Sequence, residues 1–216
     1  MILTCCNPEA FKKARQKLMK SDEKMKSLIQ SHKSYTFSPQ QQRSPFESLV
    51  RAIAHQQLHG KAAETILGRL LAHFPGQKFP TAEELLKLPD ESLRACGYSG
   101  SKVKSIKDIA AKTVLGVVPD KKTILKLTNQ EIIDRLTEIY GVGQWTVEML
   151  LIFQLGRLDV WPVDDFGVRR GFQVWQKKRE MPTAKQLRPF GAKWAPHQTL
   201  VALYLWQEAN RAAKKK

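Results

Sequence analysis

The sequence predicts an all-α protein, and three observations support this fold class. Apolar residues recur throughout the chain at the three- and four-residue spacing of a helix face. The alternation of polar and apolar residues that is typical of a half-buried strand is nearly absent. Helix-start signals precede several of the apolar stretches. Two runs with helical spacing are Phe46, Leu49, Val50, Ile53 and Ala54, and Ala63, Ile66, Leu67, Leu70, Leu71 and Phe74.

Several helices are expected to begin at capping residues. A serine or threonine that accepts an amide of the first turn, with a glutamate three residues later that reaches back, forms a capping box. In the first of these boxes a proline also occupies the first helical position, where its missing N–H is harmless. The three pairs are Ser44 with Glu47, Thr81 with Glu84, and Thr128 with Glu131.

Glycines indicate where helices end. A glycine just after the last apolar position can adopt the left-handed conformation that closes a helix. The glycines at such positions are Gly97, Gly116, Gly141 and Gly156. Later in the chain we expect helices at about residues 101–115, 129–139, 144–155, 165–178, 184–190 and 197–213.

Composition and charge restrict the class of function. With 216 residues, of which 42% are hydrophobic, the chain can bury a core and is not a disordered protein. It carries 36 lysines and arginines against 20 aspartates and glutamates, a formal net charge of +16. Such a surface requires an anionic partner or many counterions, and nucleic acid is the commonest partner of this kind. An anionic membrane and plain solubility are the weaker interpretations.

The sequence contains no recognisable export or membrane-spanning segment. The first residues, MILTCCNPEAFKK, have too short an apolar stretch for a signal peptide, and no window has the apolar length of a membrane span. Cys5, Cys6 and Cys96 lack the CxxC spacing of zinc or iron–sulfur sites, so we interpret them as reduced thiols. An intracellular location, without membrane association, is therefore expected.

The densest local motif is a helical hairpin between residues 136 and 150. One amphipathic helix stops at Gly141-Val142-Gly143, and another begins immediately. The glycines permit a tight reversal, and the amides at the start of the second helix suit a phosphate oxygen. Such a hairpin can hold a DNA backbone without reading its sequence; the alternative is an ordinary helical hairpin. The residues expected to contact DNA here are Gly141, Val142, Gly143, Gln144 and Thr146.

A second motif follows about 20 residues later. Residues 160–170 contain a proline-marked loop that delivers Asp164 and Asp165 to the start of a helix. Taken alone, an aspartate at such a position usually caps the helix. In combination with the hairpin, a carboxylate there is also a candidate for catalysis.

Together these segments resemble the helix-hairpin-helix DNA glycosylases, and within that superfamily the 3-methyladenine DNA glycosylase II branch. The resemblance rests on residues 136–149 followed by Pro162–Asp165. It extends to residues 44–57, similar to an early helix of the family, and to residues 194–206, similar to its last helix.

The resemblance implies two helical lobes with the active-site cleft between them. One lobe, a six-helix barrel that contains the helix-hairpin-helix motif, would span about residues 40–158. The other would be built from both ends of the chain, residues 1–39 and 159–216. A monomer that acts on double-stranded DNA is the expected state.

The same resemblance implies roles for individual residues. The catalytic aspartate of the family lies 20 positions after the hairpin position that Trp145 occupies here, which selects Asp165 and leaves Asp164 to cap the helix or support the loop. Branches with lyase activity carry a lysine at the position of Trp145, so tryptophan implies a monofunctional enzyme. Trp145 and Trp206 would line the pocket for the extruded base. Further residues expected at this pocket are Met149, Phe166 and Asp164.

A wedge and an ion site are also implied by the resemblance. Gln57 and Leu58, with His59 beside them in the minor groove, match the stretch from which the family inserts a side chain into the space left by the flipped base. The hairpin of this superfamily often holds a sodium or potassium ion through main-chain carbonyls, and no other cofactor is required. The corresponding carbonyls are those of Thr137, Ile139 and Val142.

The activity that these residues imply is hydrolytic removal of alkylated purines, such as 3-methyladenine and 7-methylguanine, in base excision repair. The base must first be extruded from the duplex. A carboxylate in a dry site can stabilise the charge that develops on the sugar and orient water, and indole rings favour a cationic base. Two alternatives stay open. One is a non-catalytic DNA-binding protein in which Asp165 is only a cap, and the other is a glycosylase for oxidised, deaminated or mismatched bases.

Overall fold

The described part of the chain is helical. The computed structural model describes residues 8–21, 23–58 and 60–214, and within these ranges it contains helices and turns but no β-strand, which confirms the all-α prediction. Its helices are α1 (Pro8–Ser21), α2 (Glu23–Ser31), α3 (Pro45–His55), α4 (Gly60–Ala72), α5 (Ala82–Lys87), α6 (Asp90–Cys96), α7 (Gly100–Val114), α8 (Lys121–Ile124), α9 (Asn129–Leu136), α10 (Gln144–Met149), a π-helix (Leu150–Gln154), α11 (Phe166–Trp175), α12 (Ala184–Leu187), a 3₁₀-helix (Arg188–Trp194) and α13 (Gln198–Ala213). None of these described helices has the length and apolar character needed to cross a membrane.

Some residues singled out in the sequence lie outside the described ranges. They are Cys5, Cys6 and His59. Cys96 is described, and it is a buried cysteine without a disulfide bond. Burial raises the pKa of its thiol, which suits a structural rather than a reactive cysteine.

Two segments expected as α-helix change helix type along their length. The segment expected at 144–155 is α-helical only as far as Met149, after which the π-helix begins. The segment expected at 184–190 changes after Leu187 into the 3₁₀-helix. Pro189 has no N–H with which to continue the α-helical hydrogen bonds, which accounts for the second change.

Most of the local start and stop signals are confirmed. The capping boxes that begin at Thr81 and Thr128 form with both reciprocal hydrogen bonds. The prediction of a full box at Ser44 is wrong: the Ser44 hydroxyl accepts the Glu47 amide at 3.0 Å, but the Glu47 carboxylate receives the Arg51 side chain at 2.8 Å instead of reaching back. The four glycines expected to end helices, Gly97, Gly116, Gly141 and Gly156, have φ angles of 109°, 77°, 77° and 64°.

The chain divides into two compact units. Residues 41–150 form one, here called the central unit, and the segments up to residue 40 and from residue 151 onward form the other, the terminal unit. The sequence analysis placed the second boundary between residues 158 and 159. The structure places it earlier because the segment after α10 bonds within the terminal unit, where the Phe153 carbonyl accepts the Gln40 amide at 2.7 Å.

The core of the central unit lies where α3 packs on α4 and α7, and where α5 also packs on α7. The apolar spacing that predicted α3 provides the buried face of that helix. All five apolar positions of its pattern are buried, and they are joined in the core by residues of α4, α5 and α7. The core members from these partner helices include Leu67, Leu70, Leu85, Val103, Ile106 and Ile109.

In the terminal unit, α11 packs closely against α13. A Cβ atom at Gly171 on α11 would overlap the backbone carbonyl of Leu205 on α13, so only glycine permits this approach. The close crossing brings the first turn of α11 next to the middle of α13. Those two places carry the side chains that form the candidate site.

Candidate active site and DNA-binding elements

Asp165 lies at the start of α11 and has two fixed hydrogen-bond donors. Its residue surface is 8% exposed. Its Oδ1 accepts the Val168 amide at 2.8 Å, which makes it the N-cap of α11, and it accepts the indole Nε1–H of Trp206 at 2.7 Å. Two donors from different helices hold the carboxylate in one orientation. Asp165 is therefore both a helix cap and an oriented carboxylate beside an aromatic ring.

One of the two roles expected for Asp164 is wrong. Asp164 was expected to cap the helix or to support the loop, but the structure gives the capping role to Asp165. Asp164 is exposed, while Asp165 is buried. Consecutive residues at a helix start point in different directions, and the Asp165 side chain is the one that turns back over the first-turn amides.

A close contact between Trp206 and α11 depends on Gly167. A Cβ atom at Gly167 would lie 2.5 Å from Cδ1 and 2.8 Å from Nε1 of the Trp206 indole. It would also lie 3.1 Å from Asp165 Oδ1. Glycine at this position lets the indole lie against the first turn of α11. Sequence reasoning missed Gly167, although a glycine inside a helical pattern, repeated four residues later at Gly171, is a signal of close packing.

Two phenylalanines that the sequence analysis did not single out extend the aromatic surface. The ring of Phe153 lies 5.4 Å from that of Trp206, measured between centroids, at an interplanar angle of 32°. The ring of Phe37 contacts Phe153 edge-on at 5.8 Å. Phe153 belongs to the π-helix and is 39% exposed. Four of the five residues of this π-helix are apolar and resemble core in the sequence, so no local signal distinguishes Phe153.

The other expected pocket residues are found in both units. Phe166, in the terminal unit next to Asp165, is exposed over 68% of its surface. Trp145 and Met149 lie one turn apart on α10 in the central unit, with Trp145 42% exposed and Met149 partly buried. An indole exposed to this extent is not a core side chain. That Trp145 and Met149 line the base pocket stays a prediction.

Of the two glycines in the hairpin between α9 and α10, one is required by its backbone conformation and by packing. Gly141 has φ 77°, and a Cβ atom there would overlap the Ser105 hydroxyl. Gly143 is the N-cap of α10, has ordinary extended backbone, and a Cβ atom there would meet nothing within 4 Å. Since no packing among the described residues requires glycine at position 143, its bare, exposed backbone is suited to an external ligand.

The side chains near the hairpin turn do not all point outward. Gly141, Gly143 and Gln144 are exposed, as expected for a DNA-binding surface. Val142 and Thr146 are each 3% exposed, so the expectation that both contact DNA is corrected for their side chains. Val142 packs in the core, and the Thr146 hydroxyl accepts the Gln56 side chain at 3.3 Å.

Three side chains of the central unit hold the turn in place. Gln56 donates its Nε2–H to the Gly141 carbonyl at 3.2 Å. The Asp108 carboxylate accepts the Tyr140 amide at 2.7 Å, and the Lys104 ammonium lies 4.2 Å from the centre of the Tyr140 ring. Sequence reasoning missed these contacts with the turn, because each side chain comes from a segment distant in the chain.

The expected wedge segment follows directly after α3. Gln57 is exposed and has φ 55°, the left-handed conformation that residues other than glycine rarely adopt. Leu58 is 40% exposed. The neighbouring His59 lies outside the described residues. Two adjacent, outward-facing side chains on a fixed and unusual backbone are suited to insertion into a duplex.

The hairpin carbonyls implied as ion ligands are free to different degrees. The Ile139 carbonyl accepts the Val142 amide at 3.1 Å. Among the described residues, no backbone N–H outside the helices donates to the carbonyls of Thr137 or Val142. Within the same ranges, no group of three or more histidine, cysteine, aspartate or glutamate side chains could hold a metal ion. A site at the hairpin would therefore use main-chain oxygen, the ligand type that suits a hard monovalent cation.

The helical fold and the hairpin between α9 and α10 define a protein of the helix-hairpin-helix class. Residues 50–197 match the family model of the HhH-GPD superfamily base excision DNA repair protein. The match spans more than half of the chain, and the chain belongs to this family.

Individual relatives resemble the chain over nearly its full length. DNA-3-methyladenine glycosylase 1 of Schizosaccharomyces pombe is 40% identical over 201 residues, which cover 93% of this chain and 88% of that protein. The structure of this yeast glycosylase in complex with abasic DNA matches with a TM-score of 0.82, covering 90% of this chain and 95% of the other. A DNA-3-methyladenine glycosidase of Bacillus halodurans matches with the same TM-score at 32% identity, covering 100% and 95%.

Proposed function

We propose that this protein is a monofunctional DNA glycosylase that removes alkylated purines, such as 3-methyladenine and 7-methylguanine, from double-stranded DNA. One observation carries the proposal: in a chain of the HhH-GPD family, Asp165 is buried and oriented by the Trp206 indole beside a surface of aromatic rings. The 40% identity to a 3-methyladenine glycosylase supports the class of substrate.

The chemistry requires little from the protein beyond position and charge. Methylation at N3 or N7 gives the purine a positive charge and already makes it a good leaving group. As the bond to the sugar breaks, the positive charge moves onto the sugar ring. The Asp165 carboxylate, held by Val168 and Trp206, would stabilise that charge and orient or deprotonate the attacking water. Because the carboxylate is already oriented, no reorganisation is needed during the reaction.

The aromatic surface supplies selectivity for a charged base. An electron-rich ring attracts a cation by about 0.5–2 kcal/mol, depending on how far water is excluded. Trp206 and Phe153, whose rings contact each other, offer such faces next to Asp165. A normal, neutral purine gains less from these rings, and it also costs more to unstack and unpair. The protein would therefore retain the alkylated base longer than a normal one.

DNA binding is assigned to the hairpin and the wedge segment of the central unit. The exposed backbone at Gly143 and the first amides of α10 would bind phosphate oxygens, since the first N–H groups of a helix have no partner within it. Gln57 and Leu58 would enter the duplex and replace the extruded base. The formal net charge of +16 on the chain favours binding to DNA phosphates at this interface.

A monovalent cation at the hairpin is part of the proposal. The carbonyls of Thr137, Ile139 and Val142 would hold sodium or potassium, because oxygen ligands suit these ions. The ion would place positive charge next to the phosphate-binding amides. No other cofactor is needed for hydrolysis of this bond, and a single chain carries all of the proposed site residues.

The decisive experiment profiles the bases that the protein releases. The purified protein is incubated with methylated, deaminated and oxidised duplex DNA, and free bases are separated and identified. Release of 3-methyladenine and 7-methylguanine, lost in the Asp165→Asn variant, is the expected result. Release only from deaminated or oxidised DNA would support the other lesion class. Tight binding without any released base would support the non-catalytic alternative, in which Asp165 serves only as a cap.

A further inference from the structure

The carbonyl groups at the end of α3 are all paired in an unusual way. The last four carbonyls of a helix have no partner within it. Here the Gln56 amide bonds to the carbonyls of Ala52 and Ile53, and the Leu58 amide bonds to that of His55 at 3.3 Å. Among the described residues, no backbone amide outside the helices bonds to the carbonyl of Ala54 or to that of the C-cap residue, Gln56.

Lys102, from the first turn of α7, pairs both remaining carbonyls. Its ammonium donates to the Ala54 carbonyl at 3.0 Å and to the Gln56 carbonyl at 2.8 Å. Lys102 is only partly exposed, and burial lowers its pKa. A cation withdrawn from water to bond two carbonyls differs from the solvated lysines that account for most of the charge of this chain.

Gln56 links the same segment to the hairpin. Its main chain is held by Lys102, while its side chain donates to the Gly141 carbonyl at 3.2 Å and to the Thr146 hydroxyl at 3.3 Å. One residue therefore connects α7, the end of α3 and the turn that is assigned to phosphate binding. All of these contacts lie within the central unit.

The segment held in this way has a strained backbone. Gln57 has φ 55°, which is unfavourable for a side chain with a Cβ atom. Such a conformation persists only where the surrounding structure fixes the backbone on both sides. Before Gln57, the main chain of Gln56 is held by Lys102. After Gln57, the main chain of Leu58 is held by the bond from its amide to the His55 carbonyl. The outward direction of Gln57 and Leu58 follows from that backbone.

We propose that Lys102 is a positioning residue that holds Gln57 and Leu58 in the conformation needed for insertion into the duplex. The ammonium acts through the carbonyls of Ala54 and Gln56 rather than by contact with DNA. The inference rests on the proposed function, because it takes base extrusion as the step that the wedge segment supports. The proposal implies that loss of Lys102 slows extrusion of the base far more than it weakens binding to DNA.

The first test compares two lysines on the same helix. Lys102→Met keeps the aliphatic stem but removes the donors, and Lys112→Met removes an equal charge near the other end of α7. A displacement of about 1 Å in a positioned group can cost on the order of a hundredfold in rate, and we expect single-turnover base release to fall at least about tenfold in Lys102→Met. Affinity for undamaged duplex should fall no more than in Lys112→Met. Lys102→Arg should recover most of the rate.

A double-mutant cycle separates positioning from other roles. If Lys102 acts only through the wedge, Lys102→Met should slow a Leu58→Ala protein little or not at all, because the inserted side chain is already missing. Effects that multiply would overturn the proposal, as would equal losses of rate and affinity, which indicate a phosphate contact. Melting temperatures check that each variant is folded. If Lys102→Met unfolds, Lys102→Gln takes its place in the same comparison.

A fluorescence measurement makes failure of this inference distinguishable from failure of the proposed function. The emission of 2-aminopurine next to an abasic-site analogue reports insertion of the wedge and requires no bond cleavage. The expected change on binding depends on Leu58 and is reduced in Lys102→Met. If the protein releases no base but shows this pattern, the proposed function fails and the role of Lys102 stands. An unchanged signal in Lys102→Met, or no signal in the original protein, overturns that role.

Discussion

Replacement of Asp165 by asparagine separates the two roles that this side chain has in the structure. Asparagine caps helices as well as aspartate does. Its Oδ1 can accept both the Val168 amide and the Trp206 indole, which lie at 2.8 and 2.7 Å from the aspartate oxygen. The shape and both hydrogen bonds survive while the negative charge is lost. We therefore expect the free energy of unfolding to change by less than about 1 kcal/mol.

The effect on base release should be much larger than the effect on stability. Removal of one preorganised electrostatic group typically lowers the rate by about 10²–10³-fold, or about 2.7–4 kcal/mol. Asp165→Ala also loses the cap, worth about 1 kcal/mol, and the indole bond to a charged group, worth about 1.5–3 kcal/mol. At about 2–4 °C per kcal/mol for a chain of this size, it should melt about 5–16 °C lower, whereas Asp165→Asn should not.

The assay measures single-turnover release of 7-methylguanine together with melting temperature and duplex affinity. Asp164→Asn, at the exposed neighbouring position, is the matched control and should keep most of the activity. DNA binding by Asp165→Asn should survive or tighten, because a negative charge has been removed. Base release at the original rate in Asp165→Asn would mean that the residue is only a cap. An inactive but stable Asp164→Asn would show that the assignment by spacing is off by one residue.

Three further outcomes are expected. Binding to undamaged duplex should weaken steeply with salt, with a log–log slope of about −0.9 for each phosphate neutralised, and an affinity independent of salt would contradict the argument from charge. Trp206→Phe keeps a ring beside Phe153 but removes the donor to Asp165. Base release should therefore slow by about tenfold, which is the lower end of the effect of losing a hydrogen bond to a charged group. Duplex affinity should be unchanged, and a matching loss of affinity with partial unfolding would indicate that Trp206 is a core residue. Borohydride should trap no covalent complex between protein and DNA, because Trp145 provides no amine, and a trapped complex would show that another lysine attacks the sugar.

The sequence by itself determined the features that depend on neighbouring residues. Helix periodicity, the capping boxes at Thr81 and Thr128, and the glycines that end helices all follow from interactions over three to five positions. The hairpin and the aspartates near the start of α11 were found in the same way. The sequence could not determine which aspartate caps, because both stand at a helix start and the choice depends on backbone direction.

Only the tertiary structure decided how the candidate site is assembled. Asp165 and Trp206 are 41 positions apart, and Gln56 lies 85 positions before Gly141, so nothing local indicates that their side chains meet. Phe153 reaches Trp206 from a π-helix that apolar periodicity cannot distinguish from an α-helix. Such pairings depend on where helices cross, and crossings are fixed by packing, as in the approach of α11 to α13 that Gly167 and Gly171 allow.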